Sequence, residues 1–122
     1  MFIGNIKSLT KDNENFRHVL YTGPKSQIVI MSLQPGEDIG METHTTSDQI
    51  IVIVAGEGRA TVGDESEPIE KHTLIFVPAG MAHNIANTGD ETMKLYTVYA
   101  PSIHKDGTIH KTKEEAEQEN NE

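Results

Sequence analysis

The chain has 122 residues, with ten Lys and Arg against nineteen Asp and Glu and a net charge of −9, so there is room for one strongly acidic domain. Phosphate backbones and anionic membrane surfaces attract clustered basic side chains, which this sequence lacks; neither nucleic acid nor a membrane is an expected partner. The absence of cysteine excludes disulfides and thiolate metal sites, leaving six histidines and the carboxylates as metal-binding material.

The opening Met1-Phe2-Ile3-Gly4-Asn5 has no basic start followed by an apolar stretch, so no signal peptide is expected. The longest apolar run, Ile50 to Ala55, falls far short of the ~20 residues a membrane helix needs. A cytoplasmic protein is the expectation. Seven segments then read as strands: Arg17 to Thr22, Ser26 to Leu33, Gln49 to Ala55, Arg59 to Gly63, Thr73 to Val77, His83 to Asn87 and Met93 to Ala100. Each is rich in Val, Ile, Thr or Tyr and bounded by Gly, Pro, Asn or Asp, as at Gly23-Pro24, Pro35-Gly36, Gly56-Glu57-Gly58 and Pro78-Ala79-Gly80. Many short strands without a helical period predict an all-β sandwich or barrel. The barrel domain is placed at residues 1–111, and 112–122 reads as an acidic tail or a short solvated helix. Thr112 and Glu115 have the spacing of a capping box, which would start that helix near Lys113.

The chemistry gathers in two places. Glu42 and His44 lie two apart in a segment, Ile39 to Thr45, that reads as extended, so they project to one face. Gln49 opens the next strand after the polar turn Thr45-Thr46-Ser47-Asp48, and His83 opens another after Pro78-Ala79-Gly80. If these inward positions converge, two imidazoles and a carboxylate form the donor set of non-heme iron and many catalytic zinc sites. Solvated strand residues and a hydrogen-bonded turn histidine would explain the same pattern. His18 and His72 read as surface residues. His104 and His110, flanking Lys105-Asp106-Gly107, read as exposed loop histidines, the alternative being that they fold over the barrel mouth.

The run Gly36, five residues, Glu42-Thr43-His44, Gln49 and Gly56 (about 36–56) resembles the first motif of the cupin superfamily. Pro78-Ala79-Gly80-Met81-Ala82-His83 with Asn87 (about 72–87) resembles the second, with His72 at its leading glycine. The ending Leu95 to Pro101, through Gly107 to Lys113, is similar to small single-domain cupins of the phosphomannose-isomerase-like group. The resemblance implies a single-domain double-stranded β-helix, or jelly-roll barrel. It also implies one divalent ion (zinc, manganese, iron or nickel) on Glu42, His44, His83 and Gln49, and a homodimer. Compared with the family's three histidines and a glutamate, Glu42 stands at the first histidine and Gln49 at the glutamate, which moves the single negative charge from one strand to the other.

Three functions fit. One is a metal-dependent enzyme, isomerase-like or dioxygenase- or decarboxylase-like, acting on a small oxygen-rich substrate such as a sugar derivative or a keto or hydroxy acid. The second is a non-catalytic module binding a metal and a sugar or carboxylate. The third is a structural protein with an incidental site, against which stands the several kcal/mol cost of burying an unpaired Glu42. A phosphomannose-isomerase activity is disfavoured, because the Lys and Arg residues are not clustered near the site in sequence. No general base is identifiable.

Overall fold

The computed structural model describes residues 1–120, without the side chain of Asn120; residues 121 and 122 of the expected tail lie outside the described residues. In chain order the elements are α1 (Ile6–Asp12), β1 (Arg17–Thr22), β2 (Gln27–Leu33), β3 (Asp48–Ala55), β4 (Gly58–Val62), β5 (Glu65–Ile69), β6 (Leu74–Val77), β7 (His83–Asn87), β8 (Met93–Ala100), β9 (Ile109–His110) and α2 (Lys113–Asn120). The strands form two antiparallel sheets, one ordered β6-β3-β8-β2-β1-β9 and the other β5-β4-β7. Bridges from Asp38 to Ala86 and from Glu42 to His83 lay residues 38–42 beside β7, extending the smaller sheet.

Alternation decides which side chains meet between the sheets. Met93, Leu95, Thr97 and Tyr99 of β8 are buried on one face, opposite Gln49, Ile51 and Ile53 of β3 and Val29, Met31 and Leu33 of β2. These apolar side chains, with Ile85 and Val77, form one core, each fully buried aliphatic side chain contributing about 2 kcal/mol. The other face of β2 is covered as well: α1 packs against β2, β3 and β8, and Ile30 and Ser32 are buried. The motif glycine Gly56 turns the chain between β3 and β4 at φ +88°, where a Cβ would stand 2.9 Å from the Met93 Cα.

Two helices and two strands depart from the sequence reading. Helix α1 was not expected, although Asn5 caps it by accepting from the Ser8 amide at 3.0 Å. Strand β5 is polar and carries Pro68, which is tolerated because, among the described residues, β5 is an edge pairing only with β4. The two-residue β9 adds to the outer side of β1. Helix α2 begins as expected, with the Glu115 amide donating to the Thr112 hydroxyl at 3.1 Å. It is docked rather than solvated, however: Ala116 belongs to the core, and Lys113 pairs with Asp38.

Candidate functional site

The extended segment carrying Glu42 pairs with the strand that opens at His83, the two residues exchanging both backbone hydrogen bonds at 2.9 Å. Gly80, at φ +86°, turns the chain so that its amide donates to the His44 carbonyl at 2.8 Å. Residues some forty positions apart are thus locked side by side by main chain alone. The His44 and His83 rings stand 5.2 Å apart, and His44 Nε2 lies 3.7 Å from Glu42 Oε2, confirming that positions 42 and 44 share a face. His83 Nδ1–H donates to the Met81 carbonyl at 3.0 Å, which leaves Nε2 for another partner. Gln49 projects inward from β3, paired in register with Tyr99. Its Nε2 donates to the Thr97 hydroxyl at 3.0 Å. Tyr99 presents its ring between two histidines, His44 at 5.5 Å and His104 at 5.2 Å, both edge-on.

Burial governs the electrostatics. It raises the Glu42 carboxyl above its ordinary value of 4.5, against the opposing fields of Arg17 and His83. Burial lowers His44 below 6.5, helped by the positive fields of His83 and Arg17. It pulls His104 down to about 3, again assisted by Arg17, His44 and His110. The Tyr99 hydroxyl is raised, first by burial and then by the Glu42 carboxylate, and so stays a phenol and a donor.

Three buried atoms at this end of the interior have no partner among the described residues: His44 Nε2, Gln49 Oε1 and His104 Nε2. A buried acceptor left without a partner costs about 1–3 kcal/mol, so such atoms suit a ligand. Two donors 2.1 Å from a tetrahedral ion stand ~3.4 Å apart, close to the Glu42–His44 separation of 3.7 Å. Among the described residues, however, no three His, Asp or Glu side chains are gathered into a finished metal group. The donors match a divalent ion in kind and are partly converged; closing on an ion would take side-chain adjustment at the site.

The motif residues Asn87 and His72 have structural roles. Asn87 Nδ2 donates to the Leu33 and Glu91 carbonyls, and its Oδ1 accepts from the Gly89 amide. His72 is exposed and holds φ +75°, a conformation suited to the glycine of the family pattern.

Sequence reasoning passed over Gln27 and Arg17 and read His104 and His110 as exposed. His110 is buried and half-buried His104 faces Tyr99, so the folded-over alternative holds rather than the exposed-loop reading. Gln27 pins that loop, donating to the His104 carbonyl at 2.8 Å and accepting from the His104 amide at 3.1 Å. Arg17, distant from the motifs in sequence, is 3% exposed and lines the same small cavity as Glu42. The basic residues are not clustered near the site in sequence, yet the fold brings Arg17 beside Glu42. The available signal was phase: Arg17 alternates with inward Val19, so a strand from Arg17 to Thr22 turns both toward the core.

The chain belongs to the cupin family: the family model described as Cupin domain matches residues 29–99. The uncharacterized protein YrkC of Bacillus subtilis is 42% identical over 121 residues, 94% of this chain, and the chain spans 65% of that relative's length. A crystal structure of a Bacillus halodurans protein superimposes with a TM-score of 0.94 at 41% identity, covering 96% of this chain and 93% of that one. A Thermotoga maritima structure described as a predicted oxalate decarboxylase shares 28% identity at a TM-score of 0.62, covering 64% of this chain and 69% of that one. The fold is thus the single-domain double-stranded β-helix that the motifs implied. No helix among the described residues is long and apolar enough to cross a membrane.

Proposed function

We propose that this chain holds one divalent metal ion (zinc, manganese, iron or nickel) on Glu42, His44, His83 and Gln49. There it acts, in the cytoplasm, as a metal-dependent enzyme on a small oxygen-rich molecule such as a keto or hydroxy acid. The observation that carries the reading is the pairing of orphaned buried acceptors, His44 Nε2 and Gln49 Oε1, with a histidine whose Nδ1 is already engaged. When bound, the ion would supply Lewis acidity toward a substrate oxygen. The chain's own part is to hold the His44 imidazole neutral by burial, to keep the Tyr99 phenol protonated, and to exclude water by closing the interior with the 103–110 loop and α2. Of the four proposed ligands, Glu42 alone borders the cavity beside Arg17, a space of about 160 Å³, below the roughly 300 Å³ at which ordinary ligand pockets begin; an approach from the Glu42 side favours a substrate of few atoms over a sugar phosphate. The likeness to the Thermotoga maritima protein supports the same substrate size.

The small cavity also suits a second reading, a module that binds a metal and a small carboxylate or sugar without turnover. Both readings need the ion, so metal binding is tested first. Titration with zinc or manganese should give one ion per chain. His44→Ala and His83→Ala should each weaken binding at least 100-fold, and Gln49→Ala roughly 10-fold, because an amide oxygen is the poorer donor. Equal metal content in all three variants and the wild type would refute the assignment.

We also propose a homodimer that uses edge strand β6. Leu74 and Phe76 are 60% and 52% exposed there, and an apolar edge left open invites pairing with another chain.

A further inference from the structure

Arg17 is a buried cation whose surroundings do not account for it. Its side chain leaves β1 on the inward face, in phase with the core residue Val19. Nη1 donates to His110 Nδ1 at 3.2 Å, and the His110 Nε2–H then donates to Glu119 Oε2 at 2.6 Å. The partner directly on the guanidinium is therefore an imidazole nitrogen, and the carboxylate sits one residue further out, on α2. Phe16 lies 5.4 Å beneath the guanidinium carbon. Arg17 Nε is buried and has no partner, and no carboxylate lies within 4.0 Å of Arg17 among the described residues. Lys113, the other cation of the cavity, is occupied by Asp38.

A guanidinium buried this deeply is retained against its desolvation only where an anion completes it. Its planar fork suits the two oxygens of a carboxylate. The cavity that exposes it is shared with Glu42, and Arg17 exerts its field on Glu42, His44, Tyr99 and His104. From this juxtaposition we infer that Arg17 is the recognition group for a small carboxylate anion taken up beside Glu42. His110 and Glu119 are positioning residues that hold the guanidinium toward the cavity. Helix α2 then does two things at once: Ala116 closes the seam, and Glu119 sets the orientation of the arginine. This rests on the proposed function and narrows it to carboxylic acids. The rival account is that Arg17 merely balances the charge of Glu42.

Oxalate titrated into manganese-loaded protein, with manganese affinity measured separately, separates the two accounts. Arg17→Gln should hold manganese at least as tightly as wild type, since a nearby positive charge is gone, while binding oxalate at least 10-fold more weakly. Arg17→Lys, which keeps the charge but loses the fork, should fall between them, and Glu119→Gln should weaken oxalate about 3-fold with manganese affinity unchanged. An oxalate loss of under 10-fold in Arg17→Gln overturns the inference, whatever happens to manganese. Should the wild type hold no manganese, the metal reading falls by itself. The same titration on metal-free wild type and Arg17→Gln then decides: a 10-fold loss supports the arginine's role, and a smaller loss, or no oxalate binding at all, overturns it. Should Arg17→Gln not fold, the Arg17 Nε–H resonance of the wild type is read instead. A shift with oxalate and none with equal chloride is expected, and an unmoved signal overturns the inference.

Discussion

The two seams where the sheets meet are finished in opposite ways. On one side, β1 and the Glu42 segment are spanned by α2, which inserts Ala116 and ties down Asp38 and His110. Behind it lie Arg17 and Glu42, with the histidines close by. On the other side, β5 and β6 border an uncovered cavity of about 700 Å³ that includes Leu74, Phe76 and Met81. The polar seam carries groups that are costly to bury and is covered by α2 of the same chain; the apolar seam carries groups costly to expose and stays open, where the proposed dimer would form. On the proposed reading, the difference separates chemistry from assembly within one small barrel.

The comparison breaks most severely at Ala116. A carboxylate there cannot be buried without a partner, so Ala116→Glu should detach α2, cost about 3 kcal/mol in urea melts and open Lys111 and Lys113 to trypsin. Unchanged stability and protease resistance would mean that α2 does not close the seam. Next comes acid. His104, pulled down to about 3 from 6.5 by burial and then by the fields of Arg17, His44 and His110, is neutral inside while the unfolded chain takes up a proton. Its contribution is intact above pH 6.5 and is lost progressively as pH falls toward 3. Metal-free wild type should lose about 2 kcal/mol between pH 7 and 4 that His104→Phe does not, once the shift is discounted for solvent screening. Identical pH dependence in the two proteins would remove His104 from the interior.

Smaller effects sharpen the contrast. Lys113→Met removes the ion pair to the partly exposed Asp38 and should cost under ~1 kcal/mol. The pair holds Asp38 below 3.8 and Lys113 above 10.5, so this contribution is full between those values. It fades as acid passes the lowered carboxyl or alkali the raised ammonium. Phe76→Lys with Leu74→Lys should leave thermal stability within ~0.5 kcal/mol at dilution, yet convert a dimer to a monomer in sedimentation. A protein already monomeric at high concentration would leave the open seam without its proposed partner.

Most of the barrel was legible because alternation and turn residues are local. β1 and β8 fall where Val, Leu and Tyr stand between glycine, proline and asparagine signals, and β7 where Ile85 follows the Pro78-Ala79-Gly80 turn. β5 was hidden because an exposed edge strand buries almost nothing and so shows no apolar period. Helix α1 was hidden by its seven-residue length. Within the site, Glu42, His44 and His83 were marked by motif spacing, and the main-chain exchange between Glu42 and His83 brings them together. Arg17, His104 and His110 belong to no motif. Arg17 shows only its phase with inward Val19, whereas His104 and His110 enter through the pairing of β9 with β1 and the Gln27 anchor, long-range contacts that no window of sequence displays.

The metal-binding claim is tested most directly by loading the wild type with manganese and counting coordinated imidazoles by pulsed electron paramagnetic resonance. One ion per chain with two imidazole nitrogens bound, and one fewer in His44→Ala, is the predicted result. An ion that binds without imidazole, or a His44→Ala spectrum identical to wild type, would contradict the account.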